Sequence, residues 1–548
     1  MMVDPTNRND PFWYRTAVFY AVYVRTFADA NGDGIGDFRG LTAKLDYLSW
    51  FGVDCIWVLP MYPSPLKDGG YDIADYCDIL PAYGTLSDFT EFLRESHDRG
   101  IRVITDLVIN HTSDQHPWFQ ESRSSPTSPK RDWYVWRDTD TGYSDVRIIF
   151  TDSEPSNWTW DDTAKQYFWH RFYRHQPDLN FDNPEVQQAI LDVASFWADL
   201  GVDGFRVDAA PYLVEREGTT CDNLPETHAV LKRLRAHLDA RHPGTILLAE
   251  ANLWPEQLVD YFGQGDEFQL AYHFPIMPRM YLALHEQNAR SLIDMLRRTP
   301  DIPPNCQWGV FLRNHDELTL EMVTEAERAA MYEAFAPVPR LRVNVGIRRR
   351  LAPLLQGDRR KIELLHGLLL SLPGSPFLYY GDEIGMGDLP FLNDRDAVRT
   401  PMQWSPDRNG GFSRAERDRL TLPVIEDPQY GYPHVNVEDQ QRQESSLLQA
   451  LRWLLTVRHR HPLFGLGSLD LVDVDQPAVL AYLRRHDGAT ALGVFNLSAH
   501  SQSIHLDLMP YIGISPVDLV GGAVLDRIDT APYTLVLAPY GFYWLGLG

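Results

Sequence analysis

The stretch Asn183-Pro-Glu-Val-Gln-Gln-Ala-Ile-Leu-Asp-Val-Ala-Ser-Phe-Trp-Ala-Asp-Leu-Gly201-Val-Asp-Gly204-Phe-Arg-Val-Asp208 contains one complete helix–strand unit. Asn183 can cap the helix, Pro184 suits its first turn, and Gly201 ends it. A short apolar strand follows and finishes on an acid. The same unit recurs along the chain. Strands are expected at residues 18–27, 55–60, 102–108, 204–210, 245–251, 268–274, 308–315 and 376–384. Helical patterns lie at residues 41–51, 86–99, 184–200 and 224–240. Eight strands alternating with helices predict an α/β fold, a (β/α)8 TIM barrel built from residues 1–108 and 181–460. A doubly wound sheet is the runner-up. The run Gly32-Asp-Gly34-Ile-Gly36 lacks the third glycine and the helix start of a dinucleotide fingerprint.

Two excursions interrupt the repeat. Residues 109–180, after the third strand, are rich in Trp, Asp, Ser and Pro, show no simple helix, and predict an inserted domain. Residues 317–355, after the seventh, predict a charged, helical lid subdomain. From residue 461 to 548 the texture changes to strands and turns, with strands at residues 478–483, 489–497, 503–508 and 534–547. That pattern predicts a C-terminal all-β sandwich.

Composition bounds the function. The chain has 548 residues, 44% hydrophobic and 23% charged, which is ordinary for a globular protein. Its 75 acidic against 50 basic residues leave a net charge of −25, which disfavours nucleic acid and anionic membrane surfaces as partners. No apolar run reaches membrane-spanning length, and residues 1–15 are too polar for a signal peptide. Cys55, Cys77, Cys221 and Cys306 show no metal-type spacing. Reduced thiols and a cytoplasmic location are expected.

Chemistry in such a barrel sits at the C-terminal ends of the strands. There the third strand reads Asp106-Leu-Val-Ile-Asn110-His111 and the fourth Arg206-Val-Asp208. The fifth reads Glu250-Ala-Asn252 and the seventh Arg313-Asn-His315-Asp316. Three carboxylates with two imidazoles and an arginine on one face suit glycosidic chemistry, in which one carboxylate attacks and one carboxylic acid gives a proton. Arg206 lies two residues before Asp208, on the same strand face, and can keep it ionised. Glu250 has no such partner nearby in sequence, so it is the expected proton donor.

These segments resemble the signature regions of the α-amylase superfamily, glycoside hydrolase family 13. The resemblance covers nearly the whole chain. It implies Asp208 as nucleophile, Glu250 as general acid/base and Asp316 as transition-state stabiliser, with His111, Arg206 and His315 lining the same subsite. Gln176-Pro-Asp-Leu-Asn180 resembles the oligo-1,6-glucosidase branch. In that branch Asp68 of Asp68-Gly-Gly-Tyr71 and Arg399 of Arg399-Thr-Pro-Met-Gln-Trp404 would grip one glucosyl unit, with Tyr71 stacked beneath it. Further segments are similar to the trehalose synthases of the branch, which interconvert maltose and trehalose. They include His111-Thr-Ser-Asp-Gln-His-Pro-Trp-Phe119, Phe168-Trp-His-Arg-Phe172 and Tyr212-Leu-Val-Glu-Arg-Glu-Gly218. Leu253 departs from the Gln expected there.

The reaction so implied is a reversible isomerisation of a disaccharide, and it must exclude water while glucose turns. Both excursions are candidate lids, with Glu317, Glu321 or Glu325 expected to bond Tyr212 across the entrance. Asn252 is a candidate holder of the turning glucose, or simply an Asn closing the strand-to-helix turn. Phe172 is expected to line the substrate pocket. Hydrolysis by an α-glucosidase is the main alternative; a non-catalytic, transporter-associated relative is the remote one.

Asp29-Ala-Asn31-Gly-Asp33-Gly-Ile35-Gly-Asp37 alternates oxygen ligands with glycines, a pattern that suits Ca2+ or Mg2+. It is not an EF-hand, because its twelfth position is Gly40. The resemblance implies a second Ca2+ site from Asn110, Asp178 and Glu215 with the backbones of Tyr212 and Leu213. No organic cofactor is expected, and the β domain is a candidate surface for a homodimer or higher homo-oligomer.

Overall fold

The computed structural model describes residues 10–529 and 532–548. The polar N-terminal stretch lies mostly outside them. Eight parallel strands close into a barrel in sequential order. They are β1 (Phe19–Val22), β2 (Cys55–Val58), β3 (Arg102–Val108), β4 (Gly204–Asp208), β5 (Ile246–Ala249), β6 (Leu270–Tyr272), β7 (Gln307–Phe311) and β8 (Ser375–Tyr379). Each is shorter than or equal to the apolar run that predicted it. The first departs most: after Val22 the chain turns into the short helix Val24–Phe27, where the sequence pattern had continued the strand.

The quoted unit folds as its sequence dictates. Asn183 accepts the Glu185 N–H, Pro184 starts the helix Pro184–Leu200, and Gly201 leaves it with φ 108°. Gly204 then opens β4 where a Cβ would lie 2.4 Å from the Ile246 side chain, so no larger residue fits between the neighbouring strands. Aromatic rings fill the barrel: Phe19 stacks on Phe377 at 4.3 Å, and Tyr272 meets Phe377 edge-on at 4.9 Å. These rings make the barrel a filled core rather than a pore, so the cleft lies above the strand ends.

The first excursion carries a three-stranded antiparallel sheet (Trp136–Arg137, Trp158–Asp161, Gln166–Trp169). It also carries the helix Pro117–Ser124, contrary to the helix-free reading; His116 caps that helix and Pro117 begins it. The second excursion is not simply helical. The helix Glu325–Phe335 is joined by a small antiparallel sheet in which Leu318–Thr319 and Arg342–Val343 flank Gly346–Ile347.

The terminal domain pairs a five-stranded sheet with a two-stranded one. The first holds β9 (Ser468–Leu471), β10 (Val479–His486), β11 (Ala489–Asn496), β13 (Val517–Asp518) and β15 (Phe542–Gly546), and the second β12 (Gln502–Leu506) and β14 (Tyr533–Leu537). The expected strand at residues 534–547 is thus split, because Tyr540 adopts a left-handed turn and its N–H bonds the Ser498 carbonyl. The domain is tied to the barrel by one buried guanidinium: Arg484 donates to the carbonyl of Ser371 in the barrel and to that of Gly467 in its own domain. Among the described residues no helix is long and apolar enough to cross a membrane, and all four cysteines are free.

Candidate active site

The catalytic face is organised by one guanidinium. In the β3–β4 register Asp106 lies opposite Arg206 and Val108 opposite Asp208, and the two-residue period puts Asp106, Arg206 and Asp208 on one face, with Asp208 reaching the cleft. Arg206, 1% exposed, places Nη1 2.5 Å from both Asp106 Oδ1 and Asp208 Oδ1. Its Nη2 bonds Glu250 Oε1. The sequence reading left Glu250 without a cationic partner; the barrel supplies one from the adjacent strand. Glu250 also accepts the Ala209 N–H at 3.1 Å. Ala209 reaches that position with φ 50°, a left-handed conformation that a non-glycine residue holds at a cost of about 1 kcal/mol or more.

Burial pushes all three carboxyls up, and Arg206 opposes it: Asp106 and Asp208 rise to about 6, Glu250 to about 8. Near neutrality Asp208 is therefore an anion and Glu250 an acid. Asp316 goes the other way. Burial disfavours its charge, but His315, Arg395 and Arg399 more than offset that, and its pKa lies below the ordinary carboxylate range. His315 Nε2 lies 2.8 Å from the Tyr71 hydroxyl and 3.1 Å from Asp316 Oδ2. Burial lowers His111 to about 3, so it is a neutral imidazole; its ring lies 5.2 Å from Phe172.

Asp208, Glu250 and Asp316 line a cleft whose walls come from the barrel and from both excursions. Its walls include Asp68, Tyr71, His111, Phe172, Asp208, Glu250, Asn252 and Asp316, so the structure brings most of the expected residues together. The cation paired with Asp68 is Arg395 and not Arg399. Asp68 pairs with Arg395 at 2.5 Å and accepts from Gln176 Nε2 at 2.9 Å. Arg399 instead reaches Asp316 Oδ1 at 3.0 Å and the His315 carbonyl at 2.9 Å. Arg395 also touches Asp316 at 3.0 Å, bridging the two acids. It sits one turn before Arg399 in the 3-10 helix Asp394–Val398. Sequence offers two arginines four apart and no local means of choosing between them.

The entrance differs in the same way. Among the described residues no glutamate bonds Tyr212 directly. Arg147, from the inserted domain, forks onto Glu321 at 3.0 and 3.1 Å and reaches the Tyr212 hydroxyl at 3.3 Å. Asn252 Nδ2 reaches Glu321 Oε2 at 3.1 Å and Thr319 Oγ1 at 3.2 Å, so its amide faces the lid as well as the cavity. Glu317 lines the cavity wall, whereas Glu325 begins a helix and does not. Arg147 was missed because it lies in a stretch without periodicity.

The two metal loops differ in their fit. Asn110 Oδ1, Asp178 Oδ2 and Glu215 Oε1 are buried without any protein donor. Burial raises Asp178 to about 8 and Glu215 well above its ordinary value. Orphaned oxygens of this kind fit a hard divalent cation, which would satisfy them and keep both carboxylates ionised. In the Asp29 loop the side chains already accept backbone N–H groups. Asp29 takes those of Gly32 and Gly34, Asn31 that of Asp33, and Asp33 that of Ile35. Asp37 takes those of Ala30, Asn31 and Gly40. This loop is closed by its own hydrogen bonds, and none of its side-chain oxygens is among the buried unpaired ones.

Barrel, excursions and acid triad together define a glycoside-active α/β-barrel enzyme. The chain belongs to the α-amylase family: residues 21–337 and 348–467 match the α-amylase catalytic domain, and residues 469–544 match the maltogenic amylase C-terminal domain. It is 56% identical to the trehalose synthase/amylase of Mycobacterium tuberculosis, over 98% of this chain and 91% of that protein. Identity to the trehalose synthase of Pimelobacter is also 56%, over 98% and 96% of the two chains. Among solved structures, an α-glucosyl transfer enzyme superposes with a TM-score of 0.80 at 31% identity, covering 97% of this chain and 99% of the other.

Proposed function

We propose that this protein isomerises maltose to trehalose, reversibly, by a retaining double displacement with minor release of glucose. The observation that carries the reading is the cleft that both excursions wall. One guanidinium holds a carboxylate and a carboxylic acid at its floor, and the Arg147–Glu321 pair lies over it with Tyr212 and Asn252 attached. Glu250 gives its proton to the bridging oxygen while Asp208 attacks C1 of the non-reducing glucosyl unit. The C1–O bond breaks and a glucosyl ester of Asp208 forms. The freed glucose turns within the cavity and presents its anomeric hydroxyl. Glu250, now a carboxylate, takes that proton as the new C1–O bond forms and Asp208 departs. Two inversions retain the α configuration.

Asp316 accepts hydroxyl hydrogens of the same glucosyl unit, and Asp68 with Arg395 closes the far end against a longer chain. Asn252 is suited to hold the turning glucose. Water competes with that glucose for the ester, so the lids decide the product. Hydrolysis needs the same acids and an open roof; the Arg147–Glu321 bridge favours isomerisation.

The Asn110, Asp178 and Glu215 side chains, with the backbones of Tyr212 and Leu213, would hold Ca2+. Such an ion supplies structural charge alone, tying the inserted domain to the barrel. The Asp29–Asp37 loop is a second candidate for Ca2+ or Mg2+, supported by its ligand types only. A cytoplasmic location and a homo-oligomer in solution complete the proposal.

Incubation with maltose alone, followed by carbon NMR, tests the reading. Trehalose as the main product is expected. Glucose as the sole product would make the protein an α-glucosidase.

A further inference from the structure

The lid that begins at Glu317 is attached to the barrel at two points, and one buried side chain joins them. Its antiparallel ladder pairs Leu318 with Ile347 and Thr319 with Gly346. Continued by two residues, that register sets Asp316 opposite Arg349. No backbone bond forms there. Instead the Arg313 guanidinium spans the gap, with Nε 2.7 Å from the Arg349 carbonyl and Nη2 2.5 Å from the Asp316 carbonyl.

Arg313 is 2% exposed, and no carboxylate among the described residues pairs with it. Burying an unpaired cation is costly, and burial accordingly lowers its pKa from the usual arginine value. Two carbonyls from opposite ends of the lid are what it gains. The return segment is pinned from the other side as well. Asp388 Oδ2 accepts the Arg350 N–H at 2.8 Å and Arg349 Nε at 2.9 Å. Above this base the same ladder carries Thr319, and Glu321 follows it; both line the cavity.

We propose that Arg313 is a positioning residue that replaces the missing rung of the lid ladder, holding the lid closed over the reacting sugar and keeping Asp316 aimed. The inference rests on the isomerase reading for its product readout. It does not rest on it for its structural readout.

The test is Arg313→Gln and Arg313→Lys in the full chain. Two quantities are measured: the glucose share of the products from maltose, and amide hydrogen exchange of residues 318–321 and 342–347. Arg313→Gln should raise the glucose share roughly threefold to tenfold, the range a lost hydrogen bond produces in an opening equilibrium. Exchange in the two segments should quicken by a similar factor while the barrel strands stay protected. Arg313→Lys, whose single ammonium cannot span both carbonyls in the same geometry, should fall between. If Arg313→Gln does not fold, Arg313→Lys carries the test with Asp388→Asn beside it, which loosens the return segment alone. A folded variant with parental exchange in both segments overturns the proposal. A parent protein that makes only glucose overturns the isomerase reading instead, and exchange still decides the role of Arg313.

Discussion

Replacing Glu250 with Gln separates the two halves of the proposed reaction. In the folded protein Glu250 titrates at about 8 and Asp208 at about 6. At pH 7 those values leave roughly nine-tenths of Glu250 protonated and roughly nine-tenths of Asp208 ionised. Near pH 9 about one-tenth of Glu250 keeps its proton, and near pH 5 about one-tenth of Asp208 is ionised. Maltose turnover should therefore follow a bell with limbs near those two values, the pair titrating as a unit. The alkaline limb is loss of the acid's proton; the acidic limb is protonation of the nucleophile. Glutamine keeps the shape of Glu250 and has no proton to give. Turnover of maltose should fall by roughly 10²–10⁴, the usual worth of a general acid, and the alkaline limb should vanish. α-Glucosyl fluoride needs no acid to leave, so it should still load Asp208. With no base to activate the acceptor, the ester should accumulate and add one glucosyl mass to the intact protein. An alkaline limb that survives in Glu250→Gln, or a protein that never acquires the glucosyl mass, refutes the assignment.

Three further outcomes are expected. Arg147→Ala removes a half-exposed ion pair worth about 1 kcal/mol, so the glucose share from maltose should rise about fivefold, with Tyr212→Phe shifting it the same way by less; an unchanged share in both would sink the roof argument. Arg395→Met breaks the contacts to Asp68 and Asp316, and should raise the KM for maltose about tenfold or more while letting maltotriose compete, measured by initial rates on the two sugars. Chelation should lower the thermal midpoint by several degrees, and Ca2+ should restore it; Asp178→Asn should abolish that response, read by calorimetry with and without the ion.

The barrel was legible because its information is local. A cap, an N-terminal proline, a C-terminal glycine and an apolar run suffice to write one helix and one strand, and the unit from Asn183 to Asp208 folds as read. Asp208, Glu250 and Asp316 were legible for a related reason. A barrel brings the ends of its strands to one face whatever the loops do, so an acid at a strand end is already in the site. The split of the last strand at Tyr540 and the sheet inside the second excursion were not legible. Both depend on bonds to distant residues, the Ser498 carbonyl in one case and the Leu318–Ile347 rung in the other.

By itself the sequence determined the alternation of elements, the residue types at the strand ends and the family they resemble. Tertiary structure decided which charge meets which. Asp68 takes Arg395 rather than Arg399, Glu250 shares the guanidinium of Arg206, and Arg147 stands between Tyr212 and Glu321. Those choices rest on side-chain reach across elements far apart in the chain, and on how much water each carboxyl loses. Period and spacing describe neighbours along the backbone. The pairing of buried charges, and the proton each one holds, is set only once the chain has closed around them.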